Sequence, residues 1–342
     1  MLIWRSLFMI TTPLCHLLGI EHPILNASMA GTATGELAAA VSNAGGFGMI
    51  GGTSSGGAAW LRAQIAAARA LTRRPFGVGF ISSFPDTPEL VDVALETGVA
   101  AINHSFADPT PYVAPAHQAG VKVFAQVQTL ADAIRAAQAG VDVIIAQGGE
   151  AGGHAGSIGT FALLPAVVDA VSPIPVVAAG GIADGRGLAA ALMLGAQGVW
   201  MGTRFVVSPE WGGQSWKQEA ILAATSDDTV QTSIYDRLLD RPFPEGINDR
   251  VVRNPFVTQW GDATEADSSN RTLLEQLLSA RERGDTSVAG VSAGVSSGLI
   301  SAMQPAADIV HTIVRDAEDL LRQRPREDAA GGSRRRRATS PS

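Results

Sequence analysis

Between Pro23 and Met201 the chain keeps one rhythm: a short apolar run, then an Ala-rich stretch with helical spacing. Eight runs read as strands: Pro23–Leu25, Phe47–Ile50, Phe76–Phe80, Ala100–Ile102, Val121–Gln126, Val143–Ala146, Pro175–Ala179 and Gly198–Met201. Helical stretches separate them: Gly35–Ala44, Ala58–Leu71, one from Pro88, Tyr112–Ala119, Leu130–Ala139, Leu163–Val171 and Gly185–Leu194. Alternating strands and helices predict parallel βα units. Eight such units predict an α/β chain closed into a (β/α)8 TIM barrel. Gly45, Gly98, Gly120, Gly140 and Gly195 sit where helices should end in a left-handed cap. An open doubly wound sheet is the alternative, but its Gly-x-Gly-x-x-Gly turn after the first strand is missing. The nearest match, Gly45-Gly-Phe-Gly48, precedes a strand and reads as a turn.

Beyond Met201 the rhythm breaks. Residues 226–270 are polar and interrupted by Pro242, Pro244 and Pro255, which predicts an inserted cap after the eighth strand and the last barrel helix. Leu273–Arg283 reads as a helix. Ala302–Gln323 reads as a C-terminal helix with Ile309, Ile313 and Leu320 on one face. Residues 13–324 therefore form one barrel domain. Residues 1–12 read as a non-essential extension, with Met9 a candidate start. Their apolar run is broken by Arg5 and Ser6 and is too short to span a bilayer, so no membrane association is expected. Residues 325–342, with Arg334 to Arg337, have the composition of a disordered basic tail.

Composition excludes several functions. A formal charge of −7 and pI near 5.4 argue against a nucleic-acid surface. A single cysteine, Cys15, excludes an intrachain disulfide and fits a reducing, cytoplasmic compartment. The five histidines other than His154 lack ligand spacing, so no metal is expected.

Chemistry concentrates in Gln147-Gly-Gly-Glu-Ala-Gly-Gly-His154-Ala-Gly156, after the sixth strand. Half of its ten residues are glycine, which lets backbone approach a flat ligand. His154 is then placed as a base. Glu150 reads as a solvated loop carboxylate or as a group orienting His154. Ala178-Ala-Gly180-Gly181-Ile182 and Met201-Gly202-Thr203-Arg204 follow the seventh and eighth strands, where such barrels commonly bind phosphate. Met29 could be only core and Thr203 only a helix cap. Gln126 and Gln147 end apolar strands and need partners. Arg204 could balance a phosphate or pair on the surface.

Together these stretches resemble the nitronate monooxygenase family, also called 2-nitropropane dioxygenases. The resemblance rests on His22 to Gly31, Pro75-Phe-Gly-Val78, Val123 to Gln126, Gln147 to His154, Ala179 to Ile182 and Trp200 to Thr203. It implies an FMN-binding barrel with His154 as catalytic base. Ser28, Met29 and Ala30 would line the flavin ring. Gln126, Gln147, Gly152 and Gly153 would contact FMN, and Gly180, Gly181, Met201, Gly202 and Thr203 would surround its phosphate. It also implies oxidation of alkyl nitronates or nitroalkanes with O2 to a carbonyl compound and nitrite. Two departures stand out. Gly79 occupies a position that is often asparagine, and Ser28 one that is often proline. An FMN-dependent enoyl-[acyl-carrier-protein] reductase using NAD(P)H is the nearest alternative. A barrel that binds FMN or another phosphate ligand without turnover is a second. The oligomeric state stays open, a homodimer being one arrangement.

Overall fold

The computed structural model describes residues 9–323. Its strands are β1 (Ile24–Asn26), β2 (Gly48–Gly51), β3 (Phe76–Ile81), β4 (Ala101–Ser105), β5 (Lys122–Val127), β6 (Val143–Gln147), β7 (Gly153–Ala155), β8 (Val176–Ala179), β9 (Gly198–Met201), β10 (Thr229–Thr232) and β11 (Asn248–Val252). Eight of them form one parallel sheet in the order β1-β9-β8-β6-β5-β4-β3-β2. A parallel bridge between Leu25 and Phe47 brings β1 back to β2. Since β1 has only three residues, a side chain reinforces that junction. Asn26 Nδ2 donates to the Met49 carbonyl and Asn26 Oδ1 accepts the Met49 N–H, each at 2.8 Å. The result is the expected TIM barrel.

Alternation along the strands divides the core in two. Leu25, Phe47, Met49, Phe124, Ile145, Val177 and Trp200 fill the barrel. Ile24, Ile50, Val78, Val123, Ile144, Ala178 and Val199 face the helices. Each Val, Leu, Ile, Phe or Met side chain among them contributes roughly 1.5–3 kcal/mol when fully buried. The helix Pro13–Leu18 closes the floor with Leu14, Cys15 and Leu18. All five helix-ending glycines adopt left-handed φ, between 65° and 95°. β4 runs on to Ser105, past its expected end, because its polar residues find partners. Asn103 donates to Ser105 Oγ, and His104 Nδ1 lies 2.7 Å from Ser82 Oγ.

After β9 come a single helical turn, Thr203–Val206, and the helix Ser215–Ala223. The cap follows. It contains β10, the helix Ile234–Leu239, β11 and the helices Pro255–Trp260 and Arg271–Arg283. Tyr235, Leu238, Phe256, Leu273 and Leu277 give it a core of its own, so Arg271–Arg283 belongs to the cap and the insertion outlasts residue 270. β10, β11 and β7 form an antiparallel sheet that joins the cap to the glycine–histidine loop.

The last helix, Ala306–Gln323, returns to the barrel and packs against the Gly185–Met193 and Gly35–Asn43 helices. A Cβ on Gly185 would lie 2.6 Å from Asp316 Cβ and 2.7 Å from Ala317 N, so the first crossing is close. Ala306–Gln323 is thus the eighth barrel helix, and the insertion lies before it rather than after it. It begins at Ala306 and not Ala302, because Ala306 N–H donates to both oxygens of Glu210, 3.1 Å each. Ile309, Ile313 and Ala317 are buried, but Leu320 is 40% exposed. Steps of four carry the inner face on to Leu321 instead.

Of residues 1–12, residues 1–8 lie outside the described region. Ile10 is buried and its N–H donates to Glu318 Oε1 at 3.1 Å, while Thr12 Oγ1 donates to the Gln197 carbonyl at 2.7 Å. The 325–342 tail lies outside the described residues. No helix among those described is long and apolar enough to cross a membrane.

Candidate active site

The carboxyl ends of the barrel strands open into a cavity of about 920 Å³ under the cap. That is near the upper end of the roughly 300–1,000 Å³ found for ligand pockets. His154, Ser28, Met29, Ala30, Gln126, Gln147, Gly152, Gly153, Gly180, Gly181, Met201, Gly202 and Thr203 all line it.

His154 lies on β7 opposite Asp249 of β11. Its Nε2 is 2.8 Å from Asp236 Oδ2, and both side chains are largely buried. Asp236 comes from the cap helix Ile234–Leu239. An ionised carboxylate only accepts, so it takes the Nε2–H and leaves Nδ1 as the basic nitrogen. Phe243 stacks on the imidazole, with centroids 3.4 Å apart and planes within 8°. Phe106 meets it edge-on at 6.2 Å. Phe106 is held at φ 66°, a left-handed conformation that costs a residue with a side chain roughly 1–3 kcal/mol. Asp249 is buried, and Ser292 Oγ donates to it at 3.0 Å. Burial above all raises its pKa, against the lowering effect of a charged His154.

Three glutamines hold the histidine strand. Gln126 and Gln128 donate to Gln147 Oε1 at 3.1 and 2.8 Å, and Gln147 Nε2 donates to the His154 carbonyl at 3.1 Å. Glu150 does not touch His154, and it is not a free loop carboxylate. Both of its oxygens accept the Thr160 N–H, at 3.0 and 2.8 Å, and Thr160 Oγ1 donates to it at 2.8 Å. This carboxylate starts the helix at Thr160, ahead of the expected Leu163.

Gly180 and Gly181 take left-handed φ of 98° and 75° at the end of β8. A Cβ on Gly180 would lie 2.9 Å from the Gly148 carbonyl and 3.1 Å from Ala151 N. A Cβ on Gly152 would overlap Gly294 N. These backbones converge where side chains have no room. The N–H groups of Gly181, Gly202 and Thr203 are not taken up by backbone partners among the described residues. Thr203 Oγ1 accepts the Gly294 N–H at 3.0 Å, which leaves its own proton to donate. Such a cradle of free amides and one hydroxyl fits a phosphate. Met201 is placed differently from its neighbours. Its side chain packs in the outer layer and its carbonyl accepts the Ala27 N–H at 2.8 Å. Arg204 is neither at the cradle nor on the surface. It is buried, with its pKa lowered by burial, and donates to the Ala302 carbonyl at 3.0 Å. Met29 both packs against the outer core and lines the cavity.

Asp236, Phe106, Phe243 and Gln128 escaped the sequence reading. Asp236 has no local signature, being 82 positions from His154. Phe243 had one: an aromatic residue between two prolines in a polar insertion.

Residues 11–90 and 86–316 match the family described as nitronate monooxygenase. A probable nitronate monooxygenase of Staphylococcus saprophyticus is 31% identical over 366 aligned positions, covering 91% of this chain and 99% of that one. A (3aS,4S,5R,7aS)-5-hydroxy-7a-methyl-1-oxo-octahydro-1H-indene-4-carboxyl-CoA dehydrogenase of Mycobacterium tuberculosis is 37% identical over 257 positions, 75% of this chain and 70% of that one. The solved structure of FabK from Thermotoga maritima superposes with a TM-score of 0.82 at 38% identity, covering 92% of this chain and 98% of that one. The chain belongs to the nitronate monooxygenase family and is a flavin-dependent oxidoreductase.

Proposed function

We propose that the flavin is FMN and that the enzyme oxidises alkyl nitronates and their parent nitroalkanes with O2, giving a carbonyl compound and nitrite. The observation that carries this is that His154, held by Asp236, faces the same cavity as the glycine cradle. When bound, FMN would supply the redox chemistry between the substrate and oxygen. Gly181, Gly202 and Thr203 would hold its phosphate, and Gln126 and the Ser28–Ala30 loop its ring.

The chain's own part is proton transfer. His154 Nδ1 removes the α-proton of a neutral nitroalkane. Asp236 fixes the tautomer and stabilises the imidazolium that results. Phe106 and Phe243 wall the base off, so the carbanion forms away from bulk water.

The test is His154→Asn. A nitroalkane needs the base, whereas a nitronate has already lost its proton. Removing a general base typically costs about 10²–10⁴-fold. The nitroalkane rate should fall by that much, the nitronate rate far less, and flavin content should stay. Equal losses on both substrates would reject proton abstraction as the role of His154.

A second reading is favoured by the relation to the M. tuberculosis dehydrogenase, whose name carries a CoA thioester. The same base would then act beside a thioester carbonyl. Anaerobic mixing separates the readings: reduction of the flavin by nitronate supports the first, and rapid reduction by NADH in its place supports a reductase of thioesters.

A further inference from the structure

Beside the His154–Asp236 pair, the cavity has a cationic pole whose charges proton transfer does not use. Lys217, from the Ser215–Ala223 helix, Arg241, after the Ile234–Leu239 helix, and Arg281, from the Arg271–Arg283 helix, all line it. Arg281 and Arg241 each depress the charged form of Lys217, after burial, and Arg241 acts likewise on Arg281. The three cations therefore share one neighbourhood. Packing agrees: a Cβ on Gly284, at the end of the Arg271–Arg283 helix, would lie 2.8 Å from Trp216 Cδ1, next to Lys217.

Their compensation is incomplete. The carboxylates near them are Asp236 and Asp249. Asp236 is bonded to His154 and reaches Arg241 only at 3.8 Å. Asp249 is bonded to Ser292. Lys217 and Arg281 make no ion pair among the described residues; Lys217 Nζ instead stands 5.2 Å above the Trp216 ring. Half-buried cations without anions carry an uncompensated desolvation cost, which an arriving anion offsets.

We infer that Lys217, Arg241 and Arg281 bind a phosphate-bearing handle of the substrate or co-substrate, while its reacting carbon lies at His154. This rests on the reading that the cavity under the cap is the catalytic site. The handle is an adenosine phosphate, carried by a coenzyme A thioester or by a reduced pyridine nucleotide.

Calorimetric titration of the flavin-loaded protein tests it, with coenzyme A, NADPH and pantetheine, which has the thiol arm without phosphates. Coenzyme A or NADPH should bind at least about tenfold tighter than pantetheine, and added salt should weaken the binding. The double variant Lys217→Met/Arg281→Met should lose about tenfold or more, and Arg281→Lys, which keeps the charge, far less. Binding of coenzyme A alone assigns the handle to a thioester, and of NADPH alone to the nucleotide; either supports the pole. Three results overturn it: neither phosphate compound outbinding pantetheine, a double variant with unchanged Kd, or loss of flavin from that variant. The last would give the cations to the flavin phosphate instead. Oxygen uptake with a nitronate is measured on the same samples. Its absence strikes the oxidase reading alone, while the titrations judge the pole.

Discussion

At Gly79 the backbone has no room for a side chain, since a Cβ there would overlap both Cβ and Oγ of Ser28. The two positions where the chain departs from the pattern it resembles are therefore neighbours, although β2 lies between them in sequence. Ser28 fills the space that an asparagine at 79 would need. Gly79→Asn alone should destabilise the protein by about 1–3 kcal/mol, as overpacking does, and lower its flavin content. Ser28→Ala should not rescue it, because the overlap includes Cβ. Ser28→Gly should, restoring melting temperature and flavin absorbance together. Rescue by Ser28→Ala would show that only the hydroxyl matters.

Strand and helix meet in a different way at His104. It points from β4 toward the Thr110–Gln118 helix and stacks on Tyr112, with centroids 4.4 Å apart and planes within 10°. Burial holds its pKa down at about 4. The unfolded chain protonates this imidazole near 6.5, so between those values the native state binds fewer protons and stability falls as the pH falls. The window is worth roughly 3 kcal/mol, fully present above pH 6.5 and lost as the pH falls through 4. Unfolding of the wild type by urea should show that loss. His104→Phe, which keeps the stack and cannot titrate, should lack it; an identical pH profile would refute the assignment. His104 also marks where reading the sequence stops short. The barrel strands were legible because apolar runs and helices alternate over long stretches. The polar end of β4 was not, since its partners Ser82 and Ser105 are identified only by the fold. Helix starts at Thr160 and Ala306 escaped for the same reason: they are set by carboxylates outside the helix, Glu150 from the glycine loop and Glu210 from 96 positions away. His154 announced itself through its glycines, while Asp236 stood in a polar insertion with no pattern of its own.

For the whole molecule, the cap is rooted in the barrel wall on both sides. β9 precedes it and the eighth barrel helix follows it. A protease that cuts beside the exposed Ser268 and Ser269 would therefore not release the cap as a domain. It would leave two chains, each holding part of the barrel, with Ala306–Gln323 still buried between its two neighbours through Ile309, Val310, Ile313 and Ala317. The nicked protein should elute as one particle under native conditions and part only in denaturant. The same reasoning makes this loop a place to divide the enzyme deliberately: two separately expressed halves would reconstitute the flavin site only when they meet, and the yellow colour itself would report their encounter.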